Sequence, residues 1–400
     1  MSYDRLNFKN SALIALFFAA RAMVILFAFS EISACAGVNP PKTASSKGAA
    51  VKMQNPSDAV YSSGAGQRRG EAMLKYQDVR RYIKEVSIKH KLDINVLNRA
   101  FQNSYFDYRI IELMDMPAER KHWTEYSKGL LSKERISNGK KYIKDHDKAL
   151  KTAFNRWGVQ PQIVAAIIGI ESSYGKFEFR RTAVASLATI AFEYPRRSAY
   201  FKDELTKLFI LAKRDKRDPL SYKSSYAGAI GIAQFMPYNI LRYGRDGNGD
   251  RRIDLNTHGD AIESVAYYLK EHGWRKSKNT AAIVALKRPL PNSMYGESPC
   301  DVKKRRSVKA LKSNGVIFNG KYPNDEGGIV VKIQKDEYNF MPVVFFENAC
   351  PIYRYNNSVK YAAAAAFLAK ELTVTAKTNS AKNNGSTKST KAKKNVKKKK

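Results

Sequence analysis

Acidic residues are scarce in this chain of 400 residues: 36 Asp and Glu stand against 71 Lys and Arg, a formal charge of +35. Such a balance excludes an acidic surface and favours polyanions as partners, whether nucleic acid, anionic lipid or an acidic wall polymer. Much of the excess is crowded into the end of the chain, TAKTNSAKNNGSTKSTKAKKNVKKKK, so it does not describe the folded part. No recognisable nucleic-acid-binding module accompanies the charge, and no nucleic-acid partner is expected. Cysteine is nearly absent, at three residues, which excludes a disulfide-dense scaffold. Internal repeats are lacking too, which excludes a solenoid. What remains is a globular composition rich in tyrosine (23) and phenylalanine (19), long enough for one large domain or two ordinary ones.

The N-terminus reads as an export signal. Arg5 and Lys9 precede ALIALFFAARAMVILFAFS, an apolar stretch interrupted by Arg21. It ends in ISAC, residues 32–35, where an aliphatic residue, two small residues and a cysteine form the pattern of a lipoprotein processing site. Residues 1–35 would then be the signal, with Cys35 the acylated N-terminus and the outer membrane the expected anchorage, facing the periplasm. The alternative is an uncleaved transmembrane anchor carrying an incidental cysteine. With Cys35 lipidated, Cys300 and Cys350 form an even pair in an exported chain, either bonded or left as two buried thiols.

Residues 36–75 are rich in Pro, Ser, Gly and Ala without a sustained apolar period, the composition of a flexible linker. From Tyr76 to Ser104 the apolar positions follow helical spacing, and another helical stretch spans residues 143–154. Pro161 opens PQIVAAIIGIE at a position suited to a first helical turn. AVASLATIAFEYP, AYFKDELTKLFILAKRD and GDAIESVAYYLKEHGW read as further helices. Between about 285 and 353 the runs GGIVVKI and FMPVVFFE, set among Gly, Pro and Asn, predict a small β-containing part. A returning helix follows over 357–373. The folded unit is thus expected over 76–375, and residues 376–400 form a disordered Lys-rich tail whose only activity is electrostatic.

One carboxylate stands out. Glu171 ends an apolar run with Val164, Ile167, Ile168 and Ile170 at helical spacing, and SSYG follows it at once. Burial and the negative end of the helix dipole both favour a protonated carboxyl there, which is what a general acid requires. The bland alternative is a solvated glutamate beside polar serines.

GIESSYG, then FEYPRRSAYF, SSYAGAIGIAQFMP, a Gly/Asp loop, SVAYYLKEHGW and YRYNNSVKYAAAAAFLA follow one another in an order and spacing that resemble the lytic murein transglycosylase B family. The resemblance runs from about residue 77 to 374. It implies a mainly α fold with a lysozyme-like core over about 155–284, an added N-terminal helical subdomain and the small β-containing subdomain. It also implies cleavage of peptidoglycan between N-acetylmuramic acid and N-acetylglucosamine without water. Glu171 matches the single catalytic acid and base, and no cofactor takes part in the chemistry. Ser225 and Gln234 match cleft positions suited to acetamido and hydroxyl groups. Tyr126, Tyr200, Tyr268, Tyr355, Asn356 and Tyr361 match groove-lining positions. Arg196 and Arg197 would meet carboxylates of the lactyl group or peptide stem.

The loop DGNGDRRIDLNTHGD resembles the family's calcium loop, with Asp246, Asn248, Asp250, the Arg252 carbonyl and a final carboxylate at Asp260 as ligands. Arg251 stands where such a loop has Gly, and Thr257 where it has Glu. The alternative is an Asx-rich turn without metal. Peptidoglycan strands and a membrane, reached through Cys35 and the basic tail, are the expected partners, and a monomer is the expected state. Two competing readings are a hydrolytic muramidase, for which Glu178 and Glu193 are the nearest spare carboxylates, and a wall-binding protein without catalysis.

Overall fold

The computed structural model describes residues 71–115 and 120–373. The expected signal segment, Cys35, most of the linker and the Lys-rich tail lie outside the described residues. Within them, no helix is long and apolar enough to cross a membrane.

The fold is mainly α. The N-terminal helices are α1 (Gln77–His90), α2 (Ile94–Gln102), α3 (Arg109–Met114), α4 (Trp123–Leu130), α5 (Lys133–Asp145) and α6 (Asp147–Trp157). Next come α7 (Pro161–Ser172), α8 (Ala183–Glu193), α9 (Ser198–Asp215), α10 (Pro237–Tyr243) and α11 (His258–Glu271). After the short α12 (Val308–Ser313), the chain ends with α13 (Ala349–Asn356) and α14 (Val359–Thr373). The stretch read as one helix over 143–154 is two, because His146 leaves the helical conformation and separates α5 from α6.

Two helices organise the core. In α7 every residue from Ile163 to Ser172 is buried, so the helix is apolar on all sides and must be surrounded. Pro161 starts it where the missing N–H has no intrahelical partner to lose. Against α7 packs α14, whose residues Ala362 to Ala366 are buried. Alanine there keeps the two backbones close, since no longer side chain separates them. That close approach decides where the larger residues on α14 can reach.

The strands form two sheets. A short pair joins β1 (Arg181–Thr182) to β2 (Lys223–Ser224). The larger sheet contains β3 (Ala281–Leu286), β4 (Arg306–Ser307), β5 (Val316–Phe318), β6 (Gly327–Gln334) and β7 (Phe340–Phe346), in the order β4-β6-β7-β3-β5, with antiparallel neighbours. Alternation sends Ile329, Val331, Ile333, Val343 and Phe345 into the core shared with the helices. Val330, Val344 and Phe346 turn to the other face, where Val308 and Leu311 of α12 cover them. Cys300 and Cys350 are bonded, with Cα atoms 4.9 Å apart, and tie the loop before β4 to the first turn of α13.

Candidate functional site

Glu171 is the penultimate residue of α7 and only 6% exposed. The turn behind it is held in an unusual conformation: Ser173 and Tyr174 both have left-handed backbones, at φ 52° and 64°. Neither is glycine, so the surrounding bonds must impose the turn. Ser173 N–H donates to the Gly169 carbonyl (3.2 Å), and Tyr174 N–H to that of Ile168 (3.3 Å). Ser172 Oγ accepts from Gly175 N–H at 3.0 Å. The result is a rigid mount for the side chain one residue earlier.

The last helix reaches this mount. Tyr361, near the start of α14 and wholly buried, donates its hydroxyl proton to Glu171 Oε1 at 2.6 Å. Burial, reinforced by the nearby Glu171 charge, pushes the Tyr361 hydroxyl well above the ordinary tyrosine value, so it remains a donor. Tyr355 of α13 lies parallel to Tyr361 with ring centroids 6.2 Å apart, and its hydroxyl donates to the Ala233 carbonyl at 2.6 Å. Burial raises that hydroxyl too, again with Glu171 contributing. Tyr126 of α4 is buried beside Trp123 and acts electrostatically on Tyr361. The structure therefore gathers Glu171, Tyr126, Tyr355 and Tyr361 from four helices. Asn356, next to Tyr355 at the end of α13, is also buried.

Other expected site residues have their polar groups turned toward the protein. Tyr268 of α11 is buried under Phe235 and Tyr355 and donates its hydroxyl to the Arg354 carbonyl at 2.7 Å. Gln234 directs its side-chain N–H groups to the carbonyls of Gly231 (2.8 Å) and Ala229 (3.2 Å). Ser225 Oγ accepts from Ala229 N–H at 3.2 Å. These two residues brace the GAIGIAQFMP turn. Gly231 makes it feasible: at φ 71° an added Cβ would lie 2.6 Å from the Leu255 carbonyl oxygen.

A second group forms at α9. Arg197 lies over the Tyr200 ring at 4.8 Å, and Arg196 lies 6.0 Å from the Tyr194 ring centroid. The Tyr200 hydroxyl bonds to Glu204, which also accepts from Tyr238 N–H at 2.9 Å at the start of α10. Glu204 is 3% exposed, and burial pushes its carboxyl up to about 7 against the two hydrogen bonds and the pull of Lys207. The sequence reading missed it. Its signal was present, because Glu204 falls three residues after Phe201 and four before Leu208 on the buried stripe of α9.

The spare carboxylates stand in different surroundings. The Glu178 side chain is 81% exposed and paired with Arg180 at 3.4 Å. Glu193 accepts from the Tyr108 hydroxyl at 3.0 Å.

The Gly/Asp loop is closed by its own amides. Asp246 accepts from Gly249 and Arg251 N–H, at 2.6 and 2.7 Å. Asp260 is fully buried and accepts from Gly247, Asn248 and Asp254 N–H. Arg251 takes φ 65°, so the loop keeps a left-handed residue at the position where a calcium loop has glycine. Thr257 caps α11. Among the described residues, no three His, Cys, Asp or Glu side chains converge in a way that would hold a metal.

A cavity of about 480 Å³ lies apart from these residues, between the α1–α2 turn and the end of α9. Leu92, Leu97, Phe209 and Ala212 line it, with Lys91, Lys213 and Lys216 at its rim. These lysines sit at or near the ends of α1 and α9, where they complement the helix dipoles.

Solved structures with the same arrangement of helices and small sheet are lysozyme-like lytic transglycosylases. The Escherichia coli lytic transglycosylase SLT35 in complex with bulgecin A aligns with a TM-score of 0.67 at 29% identity, covering 76% of this chain and 95% of that one. SLT35 in complex with calcium aligns with a TM-score of 0.66 at the same 29% identity and coverage of 76% and 95%. The catenated lytic transglycosylase SltB1 of Pseudomonas aeruginosa gives 0.67 at 30% identity, covering 74% and 97%. Residues 75–370 match the family model of the transglycosylase SLT domain, and the chain belongs to that family. It is also similar to the membrane-bound lytic murein transglycosylase B of Escherichia coli strain K12, with 30% identity over 298 residues, 72% of this chain and 80% of the relative.

Proposed function

We propose that the chain is a peptidoglycan lytic transglycosylase that cleaves the β-1,4 bond between N-acetylmuramic acid and N-acetylglucosamine and leaves 1,6-anhydro ends, serving cell-wall turnover. Family membership supports the reaction class, and the buried Glu171–Tyr361 pair is the observation that carries the mechanism. Glu171 protonates the glycosidic oxygen as the bond breaks. It then takes the proton of the sugar's own C6 hydroxyl, which attacks C1. A hydrolase of ordinary design needs a second carboxylate to place water or form a covalent intermediate. Glu178 is solvated and Glu193 is engaged by Tyr108, so the intramolecular nucleophile accounts better for a lone acid. Tyr126, Tyr355, Asn356 and Tyr361 belong to the glycan site around the acid. Arg196, Arg197 and Tyr200 form its anionic-substituent side, while Ser225, Gln234 and Tyr268 shape the floor. Digestion of purified sacculi tests the reading: anhydro-muropeptides are expected, and reducing-end products alone would make the chain a hydrolase.

A structural calcium ion belongs to the same reading. Asp246, Asn248, Asp250, Asp260 and the Arg252 carbonyl offer oxygen donors, the chemistry a hard cation takes, and the ion would draw the Asp246 and Asp260 carboxylates from the loop amides they now accept from. Calcium is expected to raise the melting temperature of the wild type and to leave that of Asp250→Ala unchanged. Equal melting of the wild type with and without calcium counts against the ion. The lipoprotein pattern, together with a membrane-bound relative, favours outer-membrane attachment through Cys35, in the periplasm, with the basic tail on anionic headgroups. Labelled fatty acid should enter the wild-type chain and be absent from Cys35→Ala; equal labelling of both would remove the anchor.

A further inference from the structure

Arg135 lies near the start of α5, half-buried, and its side chain bonds to backbone carbonyls of two other helices. Its Nε donates to the Gly129 carbonyl of α4 at 3.1 Å, and its Nη1 donates to the Gly169 carbonyl of α7. Both acceptors lie in the last turns of their helices, where the dipole is negative; the Gly169 carbonyl, which also accepts from Ser173 N–H at 3.2 Å, takes the guanidinium on its second lone pair. The contact is returned across the gap: the Tyr174 hydroxyl, from the turn after Glu171, donates to the Arg135 carbonyl at 2.9 Å. The Tyr174 ring also fills the space above Gly169, where an added Cβ would lie 2.5 Å from the ring. Burial lowers the Arg135 pKa from the ordinary guanidinium value, with the Tyr174 and Glu134 charges acting the other way.

The helices joined here are the two that carry Tyr126 and Glu171. Gly129 follows Tyr126 by three residues, and Gly169 precedes Glu171 by two. A planar guanidinium can donate in two fixed directions at once, which a lysine ammonium on a single stem does less well. Resting on the transglycosylase reading above, we infer that Arg135 is a positioning residue: it locks the ends of α4 and α7 in one relative orientation and thereby sets the angle of the Glu171 carboxyl to the bound glycan. It touches no substrate. Its effect is on the geometry of the reacting carboxyl, where a displacement of about 1 Å can cost on the order of 100-fold in rate.

The experiment compares full-length wild type, Arg135→Met and Arg135→Lys on soluble glycan fragments, well below each melting temperature. Arg135→Met is expected to lose on the order of 100-fold in kcat with KM within about threefold. Arg135→Lys should recover to within about tenfold of wild type at unchanged KM, because it keeps the charge and one donor direction. A folded Arg135→Met with near-wild-type kcat overturns the inference. So does a joint change in kcat and KM that lysine fails to rescue, since that describes general disruption. If Arg135→Met does not fold, Arg135→Lys decides: the expected kcat deficit at unchanged KM supports the two-carbonyl lock, and wild-type kcat overturns it. Wild type forming no anhydro product would defeat the parent reading, whereas active wild type with equally active variants defeats this inference alone.

Discussion

Glu171→Gln folds as the wild type does and forms anhydro-muropeptides at a rate lower by on the order of 1,000-fold or more. The substitution keeps the shape and can still accept the Tyr361 hydroxyl at its amide oxygen, so the mount survives. What it removes is the proton. General acid and base steps each contribute typically about 100- to 10,000-fold, and in the proposed mechanism one residue performs both. Tyr361→Phe provides the graded comparison. It leaves the acid in place but deprives Glu171 Oε1 of its 2.6 Å donor in a buried site. As Glu171 gives up its proton the carboxylate becomes charged, and losing a bond to it at that stage costs about 1.5–3 kcal/mol, or roughly 10- to 100-fold in kcat. Product masses and initial rates on sacculi read both variants. Glu171→Gln retaining product at a tenth of the wild-type rate would place the acid elsewhere.

The second large effect concerns stability. Glu204 has its carboxyl raised by burial from 4.5 to about 7 in the folded chain. Between those pH values the folded state holds a proton that the unfolded state has released. Stability therefore falls as pH rises through this window, and the loss is complete above about 7. At about 1.4 kcal/mol per pH unit, the cost at neutrality is on the order of 3 kcal/mol. Glu204→Gln removes the titration and should flatten that part of the profile, so its advantage over the wild type grows from pH 5 to pH 8. Urea unfolding midpoints across that range measure it. Parallel curves for the two proteins would show that Glu204 does not titrate in the window. Since Glu204 holds both Tyr200 and the start of α10, the same proton is linked to the order of the QFMP segment.

The sequence announces α7 well, because Pro161 marks its start and an unbroken apolar run leaves no polar face to expose. Glu171 was legible for the same reason, as the one charge on that run. Its partner was not legible from pattern: Tyr361 lies 190 residues away, and only the packing of α14 on α7 brings the two together. Family resemblance named Tyr361 without saying what it would bond. Gln234 and Tyr268 show the opposite difficulty. The family resemblance suggested an amide and an aromatic ring facing a sugar, and turn closure and ring packing direct their donors to backbone carbonyls. Such local competition depends on φ and on neighbours that no spacing rule contains. Glu204 was passed over because a helix with a clear apolar stripe invites a reading by its majority, and one carboxylate on the stripe does not alter the period. The break at His146 is likewise invisible to periodicity, since the apolar positions continue across it.

The separation of Glu171 from Tyr361 also bears on when the protein becomes able to cut peptidoglycan. Synthesis runs from the N-terminus, and α14 is the last described helix to be made. A growing or truncated chain can carry Glu171 and Arg135 in its sequence while still lacking both the tyrosine that bonds the carboxyl and the helix that covers α7. The site is therefore complete only when the domain is complete, because an incomplete copy lacks both the packing that covers α7 and the hydroxyl that reaches Glu171.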